Sequence, residues 1–191
     1  MKVPQSDMPE TALWESFFDP DRLIQQLIPD APFMGDAVEL GAGYGTFTKS
    51  ALKSVTGKVH AYEIEPHMCT NLEARFNDII PLRLQVHCAD VLIGGTGLTA
   101  GSISLVMAFN FLHFGDPQTL LDHVYHILGP GGRLLIIHWR SDIDTPRGPD
   151  MHLRPTPETV CKWCHKSGFK LLQQPDISGS CPWHYAVVAT K

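Results

Sequence analysis

Three glycines within five residues constrain this chain more than any other feature. Val38-Glu39-Leu40-Gly41-Ala42-Gly43-Tyr44-Gly45-Thr46 joins a stretch that reads as a strand, Asp36 to Leu40, to one that reads as a helix, Thr46 to Val55. Glycine allows a sharp turn and lets a ligand approach the backbone with no Cβ in the way. The following helix offers free N–H groups at its start. A strand, a glycine turn and a helix in succession open an α/β unit and argue against an all-α or all-β fold.

The remainder of the chain alternates in the same manner. Asp19-Pro20, an N-cap residue followed by proline at the first helical position, opens a short helix through Gln26. The pattern predicts further strands at Lys58 to Glu63, Arg83 to Cys88, Ser102 to Phe109 and Leu134 to Trp139, with two more near Phe169–Gln173 and Tyr185–Thr190. It predicts helices from Pro66 to about Asn77, Pro117 to Leu128 and Pro157 to Lys166. Gly129-Pro130-Gly131-Gly132 reads as a stop, and the unbroken apolar run 134–139 as a strand covered on both faces. In such sheets ligands bind beyond the carboxyl ends of the strands, near the switch point of strand order.

At 191 residues, 43% hydrophobic and 18% charged, the expectation is one domain spanning 1–191. Residues 1–30 would form an N-terminal helical segment and residues 36–191 the sheet. A net charge of −5 argues against a broad phosphate-binding face, so no nucleic-acid partner is expected. No stretch reaches the roughly 20 apolar residues that a membrane helix needs, so no membrane partner is expected either. The N-terminal stretch carries no apolar signal core, and five cysteines is an odd number. Free thiols and a cytoplasmic location are therefore expected.

Two acids follow the glycine turn at telling places. Glu63 ends the next strand, 22 residues after Gly41. There a carboxylate, which only accepts hydrogen bonds, suits the two hydroxyls of a ribose. Asp90 follows the third strand, either accepting from an exocyclic amine or serving as a plain turn residue. Thr46 stands where a dinucleotide fingerprint has its third Gly or Ala.

Glu39-Leu40-Gly41-Ala42-Gly43-Tyr44-Gly45, Ala61-Tyr62-Glu63-Ile64-Glu65-Pro66-His67-Met68 and Ala89-Asp90-Val91 resemble the first three motifs of class I S-adenosylmethionine-dependent methyltransferases. Ser104-Leu105-Val106 through Phe111-Leu112-His113-Phe114 resembles the fourth, and Leu128-Gly129-Pro130-Gly131-Gly132-Arg133-Leu134 the turn into the fifth strand. The resemblance implies a Rossmann-like three-layer α/β sandwich. Its seven strands would run in the order 3-2-1-4-5-7-6, with strand seven antiparallel, and its cofactor would be S-adenosylmethionine. By the same resemblance Gly41, Ala42 and Gly43 pack against the cofactor and Glu39 lies near its amino group. Glu63, followed by Ile64, holds the ribose; Asp90 and Val91 frame the adenine; Asn110 and Phe111 flank the methionine end.

Two departures are visible. Ser104 replaces the usual Asp, and Asn110-Phe111-Leu112-His113 stands where methyltransferases acting on base amines carry Asn-Pro-Pro-Tyr or Asp-Pro-Pro-Tyr. The second departure looks like the small-molecule, type 11-like branch, which implies a small-molecule methyl acceptor. Oxygen, nitrogen, carbon and sulfur all remain open as the acceptor atom. The alternatives are an NAD-binding oxidoreductase, disfavoured by Thr46, and a non-catalytic protein that only binds S-adenosylmethionine.

Where the acceptor must lose a proton, the candidate bases are His113 and His138, after strands four and five. Arg140, Arg147 and Arg154 are candidates for an anionic group on the acceptor, or are merely solvated. Trp14, Phe17 and Phe18 form either a lid that excludes water or packing against the sheet. The favoured reading has no metal. Cys161, Cys164, Cys181 and His184 nevertheless show the spacing C-x2-C-x16-C-x2-H, which resembles a structural zinc site. The competing account is that these cysteines are small buried hydrophobes.

Overall fold

The computed structural model describes residues 8–191, so the first seven residues of the expected 1–30 segment lie outside it. Two short helices come first, α1 (Thr11–Glu15) and α2 (Pro20–Leu27). Then follow β1 (Asp36–Leu40), α3 (Thr48–Ser54), β2 (Val59–Glu63), α4 (Pro66–Arg75), β3 (Leu84–Cys88) and the single turn α5 (Val91–Gly94). The second half contains β4 (Ile103–Phe109), α6 (Pro117–Ile127), β5 (Leu128–Trp139), a 3-10 turn (Met151–Leu153), α7 (Pro157–Lys166), β6 (Lys170–Gln173) and β7 (His184–Thr190). The helix starts follow the sequence signals. Asp19, Asp116 and Thr156 each accept a backbone N–H of the first turn, and proline stands next in all three.

The strands form one sheet in the order β3-β2-β1-β4-β5-β7-β6. Pairs β1–β2, β2–β3, β1–β4 and β4–β5 are parallel, and β7 runs antiparallel to both β5 and β6. This is the sandwich the motifs implied, with its switch point between β1 and β4. Side chains alternate across the sheet as the pleat requires. Leu135, Ile137, Ala186 and Val188 join one core layer with α2 and α3, while Leu134, Ile136, Val187 and Ala189 join the other with α6 and α7.

Two local features differ from expectation. The helix after the glycine turn begins at Thr48 rather than Thr46, because the turn continues through Phe47, whose ring is buried. Gly129-Pro130-Gly131-Gly132 does not precede β5 but bulges within it. Ile103 pairs with Leu128, and the register then shifts so that Leu105 pairs with Arg133. The last residue supports the bulge: Gly131 N–H donates to the Lys191 carbonyl, and Lys191 N–H to that of Gly132. A Cβ at Gly129 would come within 2.9 Å of the Gly101 carbonyl oxygen, so the bulge needs glycine. Ser104 donates its hydroxyl to the Met34 carbonyl, a structural use of the position.

Candidate functional site

The carboxyl ends of β1 to β5 surround one cavity of about 530 Å³ at the switch point. That volume falls within the roughly 300–1,000 Å³ typical of small-ligand sites. Its walls differ in chemistry.

One wall is the glycine turn and the acids behind it. Gly41, Gly43 and Gly45 all have positive φ, and Gly41 N–H and Ala42 N–H both donate to the Tyr62 carbonyl. A Cβ on Gly41 would lie 2.9 Å from the ring of Phe111 across the switch point, so the close approach itself demands glycine. Glu63 is buried and ties the turn to β2. Its Oε2 accepts from Gly43 N–H at 2.8 Å, and Oε1 accepts from Ile64 N–H at 2.8 Å and Glu65 N–H at 3.0 Å. A carboxylate offers about four acceptor sites, so this one keeps capacity for a ligand. Glu39, only 3% exposed, accepts from the Thr48 hydroxyl at 2.6 Å. Burial pushes its carboxyl up to about 7 and neighbouring Glu63 adds to the rise, against the Thr48 bond.

Asp90 does two things at once. Its Oδ1 caps α5 by accepting Leu92 N–H at 3.0 Å, while Oδ2 is buried with no partner. Asn110 is the one non-glycine residue with positive φ among the described residues, a conformation that clusters at functional sites. Its amide donates to His184 Nε2 at 3.1 Å, and its Oδ1 is buried and unpaired. Thr46 Oγ1 is a third such atom. Unpaired buried polar atoms are rare, and these three line one cavity. Asp90 and Asn110 offer acceptors, so they call for a ligand rich in donors. The amine, ribose hydroxyls and ammonium of S-adenosylmethionine fit that demand.

Aromatic rings make up much of the remaining lining: Trp14, Phe47, Phe109 and Trp139 from one core layer, and Phe114, with His113 against it, from the other; Arg147 and Leu153 complete it. Not every residue singled out from sequence reaches the cavity. Phe17 and Phe18 are buried behind it, Phe17 edge-on to Trp139 and Phe18 edge-on to Phe47. Only Trp14 of that segment lines the space. His138 is fully buried behind His113, 3.1 Å away. Arg140 lies outside the wall, with its guanidinium on Asp142 at 2.7 and 3.0 Å. Arg154 braces the 140–154 loop by donating to the carbonyls of Pro149 and Arg140 and to the Thr145 hydroxyl.

The cysteine set does not converge. Cys164 lies in the core layer with Val187 and Ala189, and Cys161 packs against it; Cys181 lies across the sheet with Ala186 and Val188. Cys181 Sγ meets His184 Nδ1 at 3.0 Å, whereas Cys161 accepts from Gln174. Among the described residues no group of three or more His, Cys, Asp or Glu is placed to hold a metal.

Sequence reasoning missed Phe47, Phe109, Trp139 and Leu153. Phe109 and Trp139 end β4 and β5, so the rule pointing to strand ends already contained them. Nothing local marks Phe47 or Leu153.

A sheet in this order, with a glycine turn and acids at the ends of β1 and β2, defines the S-adenosylmethionine-dependent methyltransferase class. Residues 38–134, about half of the chain, match the family model described as a methyltransferase domain, and the chain belongs to that family. An uncharacterized methyltransferase-like protein of Schizosaccharomyces pombe is 27% identical over 108 residues, 56% of this chain and 39% of its own length. The chain thus spans well under two thirds of that curated relative. A SAM-dependent methyltransferase structure from Aquifex aeolicus superimposes with a TM-score of 0.78 at 17% identity, covering 95% of this chain and 93% of that one. A type 11 methyltransferase structure described as putative, from Sulfolobus solfataricus, gives 0.73 at 21% identity, covering 92% and 93%. Both structural likenesses speak for the fold. The oxidoreductase and binding-only alternatives find no support in these matches. No helix among the described residues is long and apolar enough to cross a membrane.

Proposed function

We propose that the protein moves a methyl group from S-adenosylmethionine to a small, largely apolar acceptor. The observation that carries this reading is the cavity's mixed lining: acids, glycines and orphaned acceptors together with aromatic rings. The bound cofactor supplies an activated methyl group on sulfur. In this reading Glu63, with Ile64 beside it, holds the ribose. Asp90 and Val91 receive the adenine, Glu39 faces the amino group, and the backbone at 41–43 packs along the cofactor. Asn110 and Phe111 sit at the methionine end. Trp14, Phe109 and Trp139 then orient the acceptor and exclude water, which is most of what an in-line displacement asks of a protein.

Thermal shift with S-adenosylmethionine, S-adenosylhomocysteine and NAD in parallel tests the proposal. A ligand at about 100 times its dissociation constant stabilises by about 2.7 kcal/mol. For a chain of this length that is a rise of roughly 5–11 °C. Both sulfur ligands should produce it, and NAD alone producing it would overturn the reading. Transfer of labelled methyl to a panel of small apolar acceptors tests the second half of the claim.

A further inference from the structure

The cavity lining carries one nitrogen whose protonation the surrounding chain dictates. His113 lines the cavity, and its Nδ1 lies 3.1 Å from Nε2 of His138. His138 is fully buried on β5, with its Nδ1 3.4 Å from the carbonyl oxygen of Trp139. A carbonyl oxygen only accepts, so His138 carries its hydrogen on Nδ1. Its Nε2 is then a lone pair, and the hydrogen in the 3.1 Å contact belongs to His113 Nδ1. His113 Nε2 is left bare, with no hydrogen-bond partner among the described residues. Burial keeps both rings neutral. It holds His113 down at about 4 and His138 at about 3, with His113 the next contributor to the lowering at His138.

We propose that His113 Nε2 takes the proton of a phenolic or enolic hydroxyl on the methyl acceptor, and that His138 is the positioning residue that fixes the required tautomer. This rests on the methyl-transfer reading of the cavity. In the step, an oxygen lone pair forms the new O–CH3 bond, the hydroxyl proton passes to His113 Nε2, and the S–CH3 electron pair stays with sulfur. The imidazolium then releases its proton to water.

Two observations narrow the acceptor to this class. A nitrogen held below the ordinary imidazole range is a weak base, better matched to an acidic hydroxyl than to an alkyl alcohol. The cavity carries aromatic rings from both core layers, Phe114 against His113 and Trp14, Phe47, Phe109 and Trp139 from the other, and these suit a planar, apolar body. A neutral amine already has its attacking lone pair and a thiol ionises near neutral pH, so neither gains as much from a fixed proton acceptor.

The test uses the full chain labelled with 15N-histidine. At pH 7, long-range proton–nitrogen spectra should show His113 protonated on Nδ1 and bare on Nε2, its signals identified by their loss in His113→Phe. In His138→Met the same ring should shift toward the ordinary Nε2–H form. Because His138 is fully buried, His138→Gln serves as the second variant. Its amide oxygen can accept from His113 Nδ1–H, so tautomer and turnover should be retained. With a phenolic acceptor, His113→Phe should lower kcat roughly 10²- to 10⁴-fold, with S-adenosylhomocysteine affinity unchanged. An Nε2–H tautomer in the wild type overturns the proposal. So does full turnover by His113→Phe, or a panel in which amines and thiols are methylated and phenols are not. Failure of the wild type to bind S-adenosylhomocysteine would instead overturn the underlying reading of the cavity.

Discussion

The two walls of the cavity are built in opposite ways. The wall proposed for the cofactor is local: Glu39, Gly41, Ala42, Gly43, Glu63 and Asp90 stand at or just after three strands in succession. Backbone geometry positions them, and Glu63 is both the ligand candidate and the clasp on the turn. The lining proposed for the acceptor is assembled from afar. Trp14 precedes β1, Phe47 belongs to the turn before α3, His113 follows β4, and Trp139 and Leu153 lie beyond the centre of the chain. Generic backbone chemistry makes the first wall, and the second depends on which side chains tertiary packing delivers.

The walls should also respond differently to acid, and this is the largest expected effect. His113, His138 and His184, on or behind the acceptor wall, are all held well below the ordinary imidazole range, chiefly by burial. After burial, His138 and then Arg154 depress His184. A ring neutral in the fold but protonated in the unfolded chain below about 6.5 means that the unfolded state binds more protons there. Their stabilising share is present above pH 6.5 and is lost as pH falls toward 4. Going from pH 7 to 5 should cost on the order of 4 kcal/mol for His113 and His138, and His184 acts in the same direction. Melting temperature should drop by roughly 10–20 °C. His113→Phe should flatten that slope, and an unchanged slope would break the contrast between the walls.

Glu63→Ala should weaken S-adenosylhomocysteine binding roughly 100-fold, since it removes a charged acceptor and leaves three turn N–H groups unpaired. Isothermal titration measures it. Gly41→Ala comes next. Its positive φ and the 2.9 Å approach to Phe111 should cost about 1–2 kcal/mol, read as a fall of about tenfold in the same affinity. Trp14→Ala should raise the acceptor KM several-fold while leaving cofactor affinity within about twofold. A matching loss of cofactor affinity would mean that the N-terminal segment serves both walls.

These differences track what the sequence could reveal. The strands, the glycine turn and the two acids were legible because each is a short pattern with a physical reason inside a few residues, whereas the order of the strands came from the resemblance of the motifs to a known family. The bulge at 129–132 was misplaced because its support, the pairing of Lys191 with Gly131 and Gly132, comes from the far end of the chain. Cys161, Cys164, Cys181 and His184 have ligand-like spacing, yet α7 packs Cys161 and Cys164 on one face of the sheet while Cys181 lies in the core layer on the other. Spacing along the chain carries no information about which side of a sheet a residue faces. His138 was rightly placed at the end of β5, but its register turns it inward, behind His113 rather than beside it.

The smallest effect concerns Glu39. With its carboxyl raised to about 7 by burial, it is partly protonated at neutral pH, and Glu63 and Thr48 are the groups that face it. A ligand ammonium beside it would favour the ionised form. Binding of S-adenosylhomocysteine should then release a fraction of a proton near pH 7 and tighten by a fewfold from pH 6 to 8. Titrations in buffers of different ionisation heat would show the release.

The division between the walls is tested most directly by one calorimetric experiment, in which S-adenosylhomocysteine is titrated into wild type, Glu63→Ala and His113→Phe side by side. The two-walled cavity predicts roughly 100-fold weaker binding for Glu63→Ala and unchanged binding for His113→Phe. Equal losses in the two variants, or wild-type affinity in Glu63→Ala, would contradict it.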